Sequence, residues 1–198
     1  MVEVIEAKSP PTVEKIWLKS YPEGVPADVD VGAYSSLDDV FQQSAMRFQN
    51  QTAFANMGTS ISYGELNKLV DDFAAFLQQD LALKKGDRIA IMMPNLLQYP
   101  IVIFAALRVG LVVTNINPLY TARELEYQLI DSRAKAIVIL ENFCKVLEEA
   151  SPATHIKSIV VTRIGDMLSF PKSTLVNAVV KYVKKMVPAY HLPVAVSF

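Results

Sequence analysis

The chain has 198 residues, 52% of them apolar, with 19 Lys+Arg against 20 Asp+Glu. That length suits one large domain with a sizeable core, and the balanced charge argues against general nucleic-acid binding, which wants a net basic surface. The single cysteine, Cys144, excludes a disulfide framework and a cysteine-based metal site.

The first seventeen residues carry acidic groups and no apolar block, so they do not read as a signal peptide. Residues 1–34 are expected to form an extended arm. Pro10, Pro11, Pro22 and Pro26 punctuate it, and Gly24 and Gly32 loosen it. Trp17 and Tyr21 are expected to pin the arm by packing.

The first helix is predicted to start at Ser36, whose Ser-Leu-Asp-Asp run has the form of an N-terminal cap. Leu37, Val40, Phe41, Ala45 and Phe48 then recur at helical spacing. Two short strands, 52–57 and 60–63, flank Gly58 as a hairpin. A capping box, Ser62-Tyr63-Gly64-Glu65, opens the next helix, with Leu66, Leu69, Val70, Phe73 and Leu77 as its apolar stripe. Lys84-Lys85-Gly86-Asp87 reads as a turn, and residues 88–93 as a buried strand ended by Pro94-Asn95. The apolar run 101–107 is seven residues long, far short of the roughly twenty a spanning helix needs, so 97–109 is predicted as a buried core helix.

A strand over 111–116 leads into Asn117-Pro118-Leu119-Tyr120-Thr121. Thr121-Ala122-Arg123-Glu124 is a third capping box, opening a helix with Leu125 and Leu129 on one face. Residues 136–140 read as a buried strand, followed by a helix through Val146-Leu147 and a strand over 157–162. Continuous apolar strands alternating with helices imply an α/β fold: a parallel, Rossmann-like open sheet with helices on both faces. The expected organisation is an arm over 1–34, the sheet subdomain over 35–165, and a basic amphipathic helix with the start of a connection over 166–198. In that helix, Leu175, Val176, Val179, Val180, Val183, Met186 and Val187 fall within about 140° at 100° per residue. Asn177, Lys181, Lys184 and Lys185 lie opposite. Two readings are open: a peripheral helix with solvated lysines, or a helix lying on an anionic membrane surface.

In a doubly wound sheet, ligands bind beyond the carboxyl ends of the strands. Two corners qualify, Pro94-Asn95 and 117–121. Helix N-termini there would suit phosphates or carboxylates, although both also read as ordinary strand-to-helix turns. The seven glycines are scattered, with no G-x-G spacing, no Walker-type loop and no G-x-S-x-G elbow. This disfavours a dehydrogenase. His155 and His191 lack an obvious serine or cysteine partner, and Asp71-Asp72 and Glu148-Glu149 read as solvated helix faces. No catalytic set and no metal site emerge from the residues alone.

Several blocks do carry a resemblance. Residues 86–95 (GDRIAIMMPN), Gln98-Tyr99-Pro100, Ala105 to Gly110 and 117–132 (NPLYTARELEYQLIDS) closely resemble bacterial long-chain fatty acyl-CoA synthetases of the adenylate-forming superfamily. Ile16-Trp17-Leu18, Tyr21-Pro22, Ser60 to Glu65, 180–185 (VKYVKK) and Tyr190-His191-Leu192-Pro193 match the same enzymes. The resemblance implies a reaction of fatty acid with ATP and Mg2+ to an acyl-adenylate and pyrophosphate, then attack by CoA to give acyl-CoA and AMP. It implies a cytoplasmic enzyme, with peripheral contact to the inner membrane through Lys181, Lys184 and Lys185. It also places Pro118, Leu119 and Tyr120 near the CoA nucleotide.

The family's phosphate loop ending in Pro-Lys-Gly, its adenine-site aromatic motif, its hinge and its catalytic lysine do not occur here. The resemblance therefore implies an N-terminal portion, inactive as a ligase by itself, holding none of ATP, Mg2+ or CoA alone, and with no catalytic residue assignable. The alternative is a non-catalytic lipid- or partner-binding module on the same fold. A truncated sheet would expose an edge and apolar surface, so a homodimer or other self-association is expected.

Overall fold

The computed structural model describes residues 14–198. The readings of the N-terminal stretch that rest on residues 1–13, Pro10 and Pro11 among them, lie outside the described residues. The chain divides between Tyr34 and Ser35 into a short N-terminal unit and a main unit running to Phe198.

Within the described part of the first unit, the arm is not extended throughout. Residues Ile16–Ser20 form a 3-10 turn, and Lys15 reaches Asp28 across 2.7 Å. Trp17 and Tyr21 each leave close to half of their surface exposed.

The main unit opens with α1, Leu37–Arg47. Ser36 accepts from the Asp39 backbone N–H as the cap. Asp39, however, turns back to the N–H and hydroxyl of Ser35 instead of closing a reciprocal box on Ser36. Strands β1, Thr52–Asn56, and β2, Thr59–Ser62, pair antiparallel. Met57 and Gly58, both at positive φ, close the hairpin in two residues. Helix α2, Tyr63–Gln79, starts on the complete Ser62–Glu65 capping box.

Five parallel strands form the second sheet: β3, Arg88–Met92; β4, Val112–Asn115; β5, Ala136–Leu140; β6, Ser158–Thr162; and β7, Ala195–Ser197. Their order is β4-β3-β5-β6-β7. The chain thus steps from β3 to one side, then crosses to the other side for β5, β6 and β7. That reversal is the topological switch point of a doubly wound fold. Strand β7 was not foreseen. Its three residues lie between Pro193 and Phe198, overlapping an apolar run of only three, Val194 to Val196, and it joins the sheet by pairing with β6.

Between the strands run α3, Gln98–Val109; α4, Ala122–Ser132; and α5, Cys144–Ala150. Alternate strand residues divide between two cores, as the period of two in a strand requires. Ile89, Ile91, Val138 and Val160 pack with the helical residues Phe41, Leu66, Leu77, Ile101 and Val102. Ala90, Met92, Ile137, Ile139 and Ile159 pack with Leu125, Leu129 and Leu147. The sheet is therefore covered on both faces, α1 to α3 on one and α4 with α5 on the other, which is why its strands read as unbroken apolar runs.

The last segment differs from the sequence expectation in two ways. Helix α6, Lys172–Ala178, passes into a π-helical turn, Val179–Val183, and the chain leaves the helix before 187, with Lys185 at φ 51°. Its faces are also mixed. Asn177 and Lys181 of the polar stripe hydrogen-bond partners at the strand ends; Val176, Val179, Val180 and Val187 of the apolar stripe are half-buried, whereas Leu175, Val183 and Met186 are exposed.

Candidate functional site

The carboxyl ends of the strands gather three concave features. At the first, β3 ends in Met93-Pro94-Asn95. The Leu96 N–H donates to the Pro94 carbonyl at 2.8 Å, which tightens the corner, and Asn56 of the hairpin donates to the Asn95 carbonyl at 3.2 Å. The hollow there is about 470 Å³ and is lined mainly by Phe54, Leu96, Leu97, Tyr99, Ile103 and Phe104. It is an apolar hollow, so the expectation that this corner suits a phosphate is corrected. Aromatic and aliphatic walls offer an anion no counter-charge.

The second feature is the 117–121 corner. Asn117 closes it as an Asx turn, its side-chain oxygen accepting from Leu119 N–H at 3.0 Å. Thr121 caps α4 by accepting from Glu124 N–H, and Glu124 accepts in turn from the Thr121 N–H and hydroxyl, both at 2.8 Å. Those two donors, the Thr121 backbone N–H foremost, hold the Glu124 carboxyl below its usual range. The carboxylate also occupies the positive end of the helix, which lowers its appeal to a phosphate. Beside it, Tyr120, Arg123, Glu124, Tyr127 and Gln128 line an open concavity of about 520 Å³. Tyr120 is half-buried against the second core. Leu119 is 84% exposed, and neither it nor Pro118 lines the concavity. Two tyrosine rings and one guanidinium around a shallow surface suit a flat, partly anionic ligand better than a bare phosphate.

The third feature, at the ends of β5 and β6, was not read from sequence. Glu141 directly follows β5 and is nearly buried. It accepts from Lys181 Nζ at 2.7 Å and from the Tyr190 hydroxyl at 3.4 Å. The Lys181 ammonium is shifted up by that hydrogen bond. After β6, Asp166 accepts from the Arg163 N–H at 2.7 Å and from Asn177 Nδ2 at 3.1 Å. An added Cβ at Gly165 would lie 2.6 Å from the Ser173 carbonyl, so only glycine allows α6 to approach this closely. Ser173, Asn177 and Lys181, spaced i, i+4, i+8, line the resulting cavity of about 430 Å³ with Glu141, Arg163 and Asp166. Each of its four charged groups has an oppositely charged partner within it. The wall is therefore balanced in charge and suited to hydrogen bonding.

Gln98, at the start of α3, joins these features. It is fully buried, and its Nε2 donates to Thr162 Oγ1 at 3.0 Å and to the Arg163 carbonyl at 2.9 Å. Its Oε1 is the one buried side-chain polar atom without a partner among the described residues. The signal for Gln98 and Glu141 was slender: one polar residue opening an apolar helix, and one acid closing an apolar strand.

Cys144 is buried, and its thiol is pushed up to about 12, chiefly by burial and secondarily by Glu141, so it is a poor nucleophile at neutral pH. His155 and His191 are both exposed. Among the described residues no group of three or more His, Cys, Asp or Glu could hold a metal ion. Lys184 and Lys185 are exposed and make no ion pair among the described residues, whereas Lys181 is engaged by Glu141.

Comparison with known proteins gives this arrangement a family. The chain is 54% identical over 186 residues to a long-chain-fatty-acid–CoA ligase of Yersinia pestis, covering 94% of this chain and 33% of the relative. It is 50% identical over 186 residues to the enzyme of the same name from Haemophilus influenzae, with the same coverage. The chain thus spans about a third of the length of these curated relatives. Among solved structures, a long-chain-fatty-acid-CoA ligase from Archaeoglobus fulgidus superposes with a TM-score of 0.58 at 25% identity, over 67% of this chain and 28% of that one. The profile of the AMP-binding enzyme family matches residues 41–194, nearly all of the main unit, and the chain belongs to that family.

Proposed function

We propose that this chain forms the amino-terminal part of an ATP-dependent long-chain fatty acid–CoA ligase. In that reaction the fatty acid carboxylate attacks ATP, giving an acyl-adenylate and pyrophosphate with Mg2+ present. The CoA thiol then attacks the acyl carbon and AMP leaves. The observation that carries the reading is the 54% identity over 186 residues to a ligase of that name. The enzyme would work in the cytoplasm, in peripheral contact with the inner membrane.

On this reading, the chain alone does not ligate. Its parts supply walls and positions, and the phosphate-handling groups come from the two thirds of the relatives that it does not span. The 117–121 corner is the CoA-facing wall. Pro118 and Leu119 shape its rim, and Tyr120 presents a ring face to the adenine. The structural support is the shallow concavity that Tyr120 shares with Arg123 and Tyr127. Its flat aromatic walls and single guanidinium fit a nucleotide edge.

The test is a chimaera in which this chain replaces the matching third of the Yersinia pestis relative. It is assayed for acyl-CoA formation from palmitate, ATP and CoA, alongside the 198-residue chain. We expect the chimaera to be active and the chain alone to be inactive. A folded chimaera inactive with fatty acids of every length would refute the ligase reading and favour a non-catalytic binding module.

A further inference from the structure

We infer that the amino-terminal end of the parallel sheet is a docking surface for a compact acidic protein, one that presents carboxylates along a helix face. This end lies opposite the three concave features at the carboxyl ends of the strands. The inference goes beyond the ligation reading and does not rest on it.

Three cations occupy equivalent positions on adjacent strands. Arg88 opens β3, Lys135 precedes β5 and Lys157 precedes β6. The Lys135 N–H donates to the Arg88 carbonyl at 2.8 Å, and the Lys157 N–H donates to the Lys135 carbonyl at 2.7 Å. They are therefore lateral neighbours, about 4.8 Å apart from strand to strand. Lys84 and Lys85 lie in the turn before β3, and Arg133 ends α4 just before Lys135. All six side chains are exposed. Of the six, only Lys135 makes an ion pair among the described residues, with Asp87 at 2.5 Å.

The fold gives no reason for this row. Like charges side by side on neighbouring strands repel and cost stability. Arg133 sits at the carboxyl end of a helix, where the dipole favours a cation. Strands carry no comparable field, so Arg88, Lys135 and Lys157 gain nothing of that kind. One carboxylate, Asp87, does not neutralise them. The excess positive charge is what an acidic partner uses, for steering and for register.

Charge also limits the size of the occupant. The chain as a whole carries a net charge of -1, and α4 and α5 on the same side of the sheet expose Asp131 and Glu149. A nucleic acid or an anionic bilayer spreads negative charge across the whole face and meets those acids. A single acidic helix does not. Its carboxylates at i, i+4 and i+8 stand about 6 Å apart along the axis, within reach of long side chains rooted about 4.8 Å apart. Val112, the register partner of Arg88, is 49% exposed, and Ile130 in the last turn of α4 is 40% exposed. Both offer such a helix an apolar contact beside the charges.

The experiment is a fluorescence-anisotropy titration of the 198-residue chain against a labelled amphipathic helical peptide with Glu at i, i+4 and i+8. A peptide of the same composition in scrambled order is the control. Saturable binding to the ordered peptide is expected, several-fold tighter than to the scrambled one and weakened by salt. Arg88→Gln/Lys157→Gln should weaken it about four- to twentyfold, at about two- to fivefold per exposed charge pair. The same variant should unfold in urea no earlier than the parent, because a repulsion has been removed. Lys184→Gln/Lys185→Gln removes as much charge from the other end of the sheet and should leave binding unchanged.

Equal binding of the two peptides, or an equal loss in the Lys184→Gln/Lys185→Gln control, would overturn the inference, since the attraction would then be non-specific. Earlier unfolding of Arg88→Gln/Lys157→Gln would overturn it too, by making the cations structural. So would displacement of the peptide by duplex DNA or phosphatidylglycerol vesicles at matched charge, which would make an extended polyanion the better occupant. None of these readouts uses ligase activity, so an inactive chimaera leaves the docking surface standing and sinks only the ligation reading.

Discussion

The Tyr120 ring offers the sharpest test of the CoA-facing corner. One side of the side chain packs against the second core, with Leu125 and Leu129, while the other borders the open concavity it shares with Arg123 and Tyr127. Truncation of an aromatic platform under a base costs about 1–3 kcal/mol. The concavity is open to solvent and Tyr127 is largely exposed, so the low end of that range applies. A loss of about 1–1.5 kcal/mol is roughly a five- to twelvefold rise in the KM for CoA. In the chimaera, Tyr120→Ala should show that rise while the KM for ATP stays within about twofold. Tyr120→Phe keeps the ring and should behave as the parent. The core side of the ring is a separate debt: its loss lowers stability, which a urea titration of each variant measures independently of KM. An unchanged CoA constant in a stable Tyr120→Ala variant would refute the corner as a nucleotide wall. An equal rise for ATP would show a general loss of geometry.

Three further outcomes follow from the packing and the protonation states. Arg108 reaches Asp38 at 3.1 Å, Asp71 at 2.6 Å and Asn67 at 3.1 Å, tying α3 to α1 and α2, with both Arg108 and Asp38 mostly buried. Arg108→Met strands the Asp38 carboxylate and should cost about 2–4 kcal/mol in urea unfolding; a loss under about 0.5 kcal/mol would show that the helices do not depend on this hub. Glu65 and Glu124 are held below their ordinary 4.5, each chiefly by the backbone N–H of its cap residue. Their folded values are depressed, so the stability they add is present above 4.5 and lost as pH falls through the lowered folded value. Glu65→Gln/Glu124→Gln should therefore flatten the acid limb of a thermal-stability profile, and an unaltered limb would refute the assignment. Cys144 should resist a thiol reagent at pH 8 until the chain unfolds, given a thiol pushed up to about 12; fast native labelling would contradict its burial.

The features legible in the sequence share one property: their cause is local. The Ser62–Glu65 and Thr121–Glu124 boxes close within four residues. Strands β3, β5 and β6 declare double-sided burial by their own composition. What escaped depends on partners far along the chain. Gln98 is explained by Thr162, 64 residues away, and Glu141 by Lys181, 40 residues away. Strand β7 exists because β6 offers it an edge. The segment 172–187 shows the physical limit most plainly. Periodicity gives two stripes and their angle, and the default is to turn the apolar stripe inward. Here the inward side meets Glu141 and Asp166 at the strand ends, where an apolar stripe would leave both carboxylates without Lys181 and Asn177. Burying an unpaired carboxylate costs more than exposing part of an apolar stripe, so Asn177 and Lys181 keep their places at the strand ends, while Val176, Val179, Val180 and Val187 are half-buried and Leu175, Val183 and Met186 stay exposed. The same reasoning predicts a rescue. Glu141→Leu with Lys181→Leu removes both charges together and should be better tolerated than Lys181→Leu alone, by about 1–3 kcal/mol in urea unfolding. If the single and double variants unfold alike, the pair does not set the segment's orientation.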